Sequence, residues 1–114
     1  MQKLIYVADD DKNIRDLIVR FLKNDGFDAL AFENGELLLR TFMSRPADML
    51  ILDIMMPGID GLTLCAKIRD ISDVPIIIVS ARNSEIDRIN GITIGSDDYL
   101  VKPFSPLELV TRVK

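Results

Sequence analysis

Two short stretches constrain this chain most: Met49-Leu50-Ile51-Leu52 and Val74-Pro75-Ile76-Ile77-Ile78-Val79, which have no polar face. Successive side chains of a strand point to opposite faces, so a strand that is apolar throughout must be covered on both sides. That requirement predicts a parallel sheet packed between two helical layers. Pro75 is tolerable at a strand start. Leu4-Ile5-Tyr6-Val7-Ala8 has the same character, and Phe27 to Phe32 and Tyr99-Leu100-Val101 read as shorter strands.

Helical patterns fill the intervals. Ile14, Leu17, Ile18, Phe21 and Leu22 follow the i, i+3, i+4, i+7, i+8 rule of an amphipathic helix, which Asn24-Asp25-Gly26 stops. Asn34 is placed to cap a second helix through Met43, and Gly61 to Arg69 is helical in pattern. Ser84-Glu85-Ile86-Asp87 and Ser105-Pro106-Leu107-Glu108 resemble capping boxes, the latter with proline at the first helical position. A β-α order repeated five times, with no linker or low-complexity tract, predicts one α/β domain over residues 1–114 with right-handed crossovers. The last helix runs into Val113-Lys114 without a stop signal, so the chain is expected to continue.

Composition removes several classes. The net charge is −4 and there is no basic cluster, so this domain offers no footprint for nucleic acid. No apolar run approaches the roughly 20 residues that cross a bilayer, and the N-terminus lacks a secretory pattern. Without histidine there is no His-based zinc site and no Ser-His or Cys-His catalysis. The lone Cys65, at helical spacing between Gly61 and Ile68, reads as a small core residue and fits a reducing cytoplasm.

In an open α/β sheet, ligands bind beyond the carboxyl ends of the strands. The residues standing there are Asp9 and Asp10, then Asp53, Ser80 and Lys102. Three carboxylates, a hydroxyl and an ammonium suit a hard divalent cation together with an oxyanion. Their charges balance: three negatives from Asp9, Asp10 and Asp53 meet three positives from Mg²⁺ and Lys102. Asp11, beside Lys12 at the start of the first helix, reads instead as a helix cap.

These residues also carry a family resemblance. Asp53-Ile54-Met55-Met56-Pro57-Gly58-Ile59-Asp60-Gly61 resembles the phosphoacceptor motif of CheY-like response-regulator receiver domains, with Asp9-Asp10, Ser80-Ala81 and Lys102-Pro103-Phe104 at the other signature places. The resemblance implies a flavodoxin-like (βα)5 three-layer sandwich with a five-stranded parallel sheet in the order 2-1-3-4-5. It implies that Asp53 accepts a phosphoryl group from a sensor histidine kinase in a Mg²⁺-dependent reaction, Mn²⁺ being the alternative ion. Asp10, Asp53 and the Met55 backbone carbonyl are then the metal ligands, with Asp9 acting through water. Lys102 and Ser80 meet the phosphoryl oxygens, and Ser80 and Tyr99 form the switch. Such a domain catalyses only its own phosphoryl transfer and dephosphorylation, and is not an enzyme acting on a separate substrate.

Gly95-Ser96-Asp97-Asp98-Tyr99 followed by Lys102-Pro103-Phe104-Ser105-Pro106-Leu107-Glu108-Leu109 is similar to the OmpR/PhoB group, and Gly91 to Lys114 to its VanR branch. That likeness implies a homodimer on phosphorylation through the fourth helix, fifth strand and fifth helix. The matching positions pair Arg88 with Glu108, Asp98 with Arg112, and Ile92 with Val110. A winged-helix DNA-binding domain is expected beyond residue 114.

Two rival readings are distinct. A haloacid-dehalogenase-type phosphohydrolase would use Asp9 as nucleophile, with Ser80 and the Asp97-Asp98 pair; against it, Lys102 follows that pair where the family's lysine precedes it, and the chain lacks room for a substrate cap. A binding module that has lost phosphorylation is the other, although nothing is missing from the active constellation. Flavin binding would set Asp9 to Asp11 against the flavin phosphate, and an EF-hand fails because Ile14 stands where its loop needs glycine.

Overall fold

In the structure, a computed structural model, residues 3–80, 95–101 and 105–113 are described. Their elements run β1 (Leu4–Ala8), α1 (Lys12–Asn24), β2 (Asp28–Phe32), α2 (Gly35–Ser44), β3 (Met49–Asp53), α3 (Gly61–Arg69), β4 (Ile76–Ser80), β5 (Asp98–Val101) and α4 (Pro106–Val113). The helix expected from Ser84 lies outside the described residues. All four strand pairings are parallel and the sheet order is β2-β1-β3-β4-β5. The flavodoxin-like three-layer architecture is therefore present.

The apolar runs alternate between two cores. Tyr6, Ala8, Leu50, Leu52, Ile76, Ile78 and Tyr99 face α2 and α3, meeting Leu38, Phe42, Leu64, Cys65 and Ile68. Their neighbours Ile5, Val7, Ile51, Ile77, Val79 and Leu100 face Ile18 and Leu22 of α1 and Leu109 and Val113 of α4. Full burial of a Leu or Ile stabilises by about 1.5–3 kcal/mol, so both faces of the central strands contribute. In α1, Leu17 belongs to the same helical pattern as Ile18 but is 42% exposed, because the helix seats only the centre of its apolar stripe on the sheet.

Capping at Asp11, Asn34 and Ser105 agrees with the sequence, and Asp60 is a further cap that the structure adds. Asp11 accepts from the amides of Asn13 (2.9 Å) and Ile14 (3.3 Å), Asn34 from Leu37 (2.9 Å), Asp60 from Thr63 (2.7 Å), and the Ser105 hydroxyl from Glu108 (3.0 Å). The amino ends of β4 and β5 are tied by a residue the sequence did not single out. Arg69, at the end of α3, donates to the carbonyls of Gly95 (2.8 Å), Ser72 (3.3 Å) and Val74, and its guanidinium pairs with Asp97 at 2.8 Å. Asp97 also accepts from the Ile76 amide at 2.7 Å.

Cys65 is fully buried on α3, and burial pushes its thiol above the ordinary cysteine range, with Arg69 opposing and Asp97 reinforcing the shift. The protonated thiol is the inert form. A thiol reagent at neutral pH is therefore expected to leave the native chain unlabelled and to titrate one thiol after denaturation; rapid labelling of the native chain would contradict this placement.

Candidate functional site

Backbone order at three strand ends builds the site. β1 ends at Ala8, and Asp9 continues the pairing by donating its amide to the Phe32 carbonyl at 3.2 Å. The Asp9 side chain is buried, and its Oδ1 accepts from the Asp11 amide at 2.9 Å. Arg15, one turn into α1, donates to the Asp9 carbonyl at 2.8 Å. Asp10 is exposed. The three consecutive acids thus leave the strand in different directions, and Asp11 spends its carboxylate on the first turn of α1.

β3 ends on Asp53, which is 3% exposed and whose Oδ1 accepts from the Met55 amide at 3.2 Å. Carboxylate oxygens of Asp9, Asp10 and Asp53 all lie within 4.8 Å of one another. Two buried acids beside an exposed one form a hard oxygen donor set open to solvent on one side. Like charges at such separations repel strongly where water is excluded, and a divalent cation relieves that repulsion. The donor chemistry fits Mg²⁺.

Asp10 shares a shallow open pocket with Ile54, Met55, Met56, Pro57 and Asp60. Pro57-Gly58 turns this loop, Gly58 having φ of +76°. The loop closes onto α3 at Gly61, whose amide donates to the Ile54 carbonyl at 3.1 Å. A Cβ on Gly61 would stand 2.2 Å from the Asp53 carbonyl oxygen and 2.9 Å from the Ile54 Cα. Glycine is required here by the close approach of two backbones.

Ser80 ends β4 and is fully buried, in register with Val101. Tyr99, in register with Ile78, is buried. Lys102, Arg88 and Ile92 lie outside the described residues. Of the positions expected on a dimer face, Asp98 pairs with Arg112 of the same chain at 3.1 Å, Glu108 is exposed, and Val110 is only 7% exposed.

Asp97 and Asp98 stand at the beginning of β5, Asp98 opposite Ile77. That is three residues, roughly 10 Å, before the strand end that carries Ser80 and Val101. Asp97 is engaged by Arg69 and Asp98 by Arg112. The acidic pair needed by the haloacid-dehalogenase reading is therefore at the wrong edge of the sheet.

Sequence reasoning missed Arg15, Glu36 and the packing reason for Gly61. Glu36 accepts from the Ile59 amide at 3.1 Å, joining α2 to the loop after Asp53. The only local signals were the glycines themselves, in Asn34-Gly35-Glu36 and Pro57-Gly58-Ile59.

Among the described residues no helix is long and apolar enough to cross a membrane. The family described as response regulator receiver domain matches residues 5–114. Regulatory protein VanR of Enterococcus faecium is 44% identical over 114 residues, all of this chain and 49% of that protein. Transcriptional regulatory protein BaeR of Escherichia coli O6:H1 is 42% identical over 110 residues, 96% of this chain and 46% of that protein. The solved structure of DrrB, an OmpR/PhoB homolog from Thermotoga maritima, superposes with a TM-score of 0.93 at 30% identity, covering 100% of this chain and 52% of that one. The chain spans about half the length of the curated relatives it matches.

Proposed function

The chain belongs to the response regulator receiver domain family of two-component systems, and from that premise we propose that Asp53 accepts a phosphoryl group from the phosphohistidine of a sensor kinase. The meeting of Asp9, Asp10 and Asp53 within 4.8 Å at the carboxyl edge of the sheet carries this reading. Asp10, Asp53 and the Met55 carbonyl hold Mg²⁺, with Asp9 acting through water; Mn²⁺ has the same preference for oxygen. Bound there, the ion supplies charge neutralisation for the phosphoryl oxygens.

A carboxylate is a weak nucleophile, so this chain's contribution is positioning. Asp53, held by β3 and by the Met55 amide, presents an oxygen in line with the P–N bond of the donor. The O–P bond forms as the P–N bond breaks, and the leaving imidazole keeps the electron pair. Lys102 pairs with one phosphoryl oxygen and the Ser80 hydroxyl donates to another. As Ser80 moves toward the phosphoryl group, Tyr99 turns into the space it leaves, which is the switch. This chemistry acts on the domain itself and not on a separate turnover substrate.

The output is an OmpR/PhoB-type homodimer through Arg88, Ile92, Asp98, Glu108, Val110 and Arg112, passed to a winged-helix DNA-binding domain beyond residue 114 in a cytoplasmic transcription regulator. The described side chains set a condition on it. Asp98 and Arg112 already pair within one chain, so an intermolecular pair replaces an existing contact and adds register more than affinity, exposed pairs being worth about 0–1 kcal/mol.

Incubation with acetyl phosphate and Mg²⁺, followed by mass-spectrometric mapping of the acyl phosphate, tests the assignment. The label is expected on Asp53. A label on Asp9 with Asp53 unmodified would move the chain to phosphohydrolase chemistry, and absence of any label would favour a phosphorylation-independent binding module.

A further inference from the structure

We infer that Glu36 is a positioning residue for the metal-binding loop, fixing from outside the backbone that carries Met55. The inference rests on the metal assignment above and extends it to a side chain on a different element. Residues 54–60 cross from the end of β3 to the cap of α3. Several of the loop's hydrogen bonds are internal or made to its own ends: Met55 to Asp53, Met56 to Ile54, and Gly61 to Ile54. These fold the loop on itself, and buried Ile54 and Met56 seat its first half on the core, which leaves the Gly58-Ile59 turn to be held from elsewhere.

The first turn of α2 does that at three points. Glu36 Oε1 accepts from the Ile59 amide at 3.1 Å. The same carboxylate lies over Gly58, where a Cβ would be 2.4 Å from Oε1. Gly35 backs onto the loop as well, since a Cβ there would stand 3.2 Å from the Ile59 carbonyl oxygen. Two glycines, one on each side, thus let the helix end and the loop approach closely enough for the carboxylate to reach backbone. Glu36 does not cap its own helix, because Asn34 accepts from Leu37 there.

Removing the acceptor leaves the Ile59 amide to water and loosens the Gly58-Ile59 turn, so the backbone of exposed Met55, between buried Ile54 and Met56, is held less firmly toward Asp10 and Asp53. Metal affinity falls when the groups that orient its ligands are lost. Glu36 also contributes a negative charge, which would attract Mg²⁺ without any positioning. Glutamine separates the two effects, because its amide oxygen still accepts from Ile59 while the charge is gone.

The test is Mg²⁺ titration by calorimetry of the parent chain, Glu36→Ala and Glu36→Gln, with hydrogen exchange of the Ile59 amide followed by NMR. Glu36→Ala is expected to weaken Mg²⁺ binding about tenfold and to speed exchange at Ile59, while Glu36→Gln stays within about twofold of the parent in both. The side chain is exposed, so both variants should fold. Parent-like Mg²⁺ affinity in Glu36→Ala overturns the inference while leaving the metal site standing. Equal weakening in Glu36→Gln overturns it in favour of simple charge attraction, and a parent chain that binds no Mg²⁺ removes the metal assignment and this inference together.

Discussion

Asp10→Ala is expected to abolish Mg²⁺-dependent phosphorylation of this chain by acetyl phosphate, whereas Asp11→Ala, one residue later, should leave it nearly intact. The two carboxylates are adjacent in sequence and differ in what they touch. Asp10 converges with Asp9 and Asp53, while Asp11 accepts from the Asn13 and Ile14 amides. Charge stabilisation by a bound metal is worth several kcal/mol, on the order of a thousandfold in rate. The stability effects run the other way. Losing the Asp11 cap costs about 1 kcal/mol, roughly a 4 °C fall in melting temperature for a domain of this size. Asp10→Ala removes one of three mutually repelling charges, so without Mg²⁺ its melting temperature should hold or rise. Phosphorylation rates and melting curves for both variants, with and without Mg²⁺, check the division. Equal loss of phosphorylation in the two variants would refute it.

Gly61→Ala is the second large effect, and two principles predict opposite signs for it. Alanine is preferred over glycine by about 1 kcal/mol in a helix interior and by less at the first helical position, which Gly61 occupies, so propensity alone predicts a small gain. Packing predicts a loss, since the new Cβ would meet the Asp53 carbonyl oxygen at 2.2 Å and the Ile54 Cα at 2.9 Å. Both obstacles are backbone, which no rotamer change relieves. Overpacking typically costs about 1–3 kcal/mol, and contact with backbone on two residues belongs at the upper end, so packing wins. Relief must come from moving α3 or the end of β3, and the latter carries Asp53. The variant is therefore expected to lose about 2 kcal/mol by denaturant melting and to phosphorylate poorly even when folded. A stability gain would show that the two backbones are farther apart than described.

Much of this was legible in the chain. Leu50, Ile51 and Leu52 are apolar in sequence because alternate members face different helical layers, and all three are fully buried. The caps at Asp11, Asn34 and Ser105 are local bonds spanning two or three residues, which short patterns encode directly. Contacts between distant segments were not readable. Glu36 reaches Ile59 across 23 positions, and Arg69 reaches Asp97 across 28. Nothing in a charged residue on a helix announces which remote backbone it will meet. Leu17 shows the same limit, since periodicity assigns a residue to a helix face but not the width of that face that becomes covered.

By itself, then, the sequence determined the layer architecture and which residue types stand at the strand ends, because both follow from period-2 alternation and from which strands must be buried on both faces. Tertiary structure alone decided how closely the acids named at the strand ends approach, and what engages the acids elsewhere. Asp9, Asp10 and Asp53 converge because β1 and β3 are neighbours in the parallel sheet and end at the same edge. Asp97 and Asp98, equally acidic in sequence, begin a strand instead of ending one, and two arginines engage them at the far side. The direction and adjacency of strands, not the local run of charge, separate a metal site from a pair of structural ion pairs.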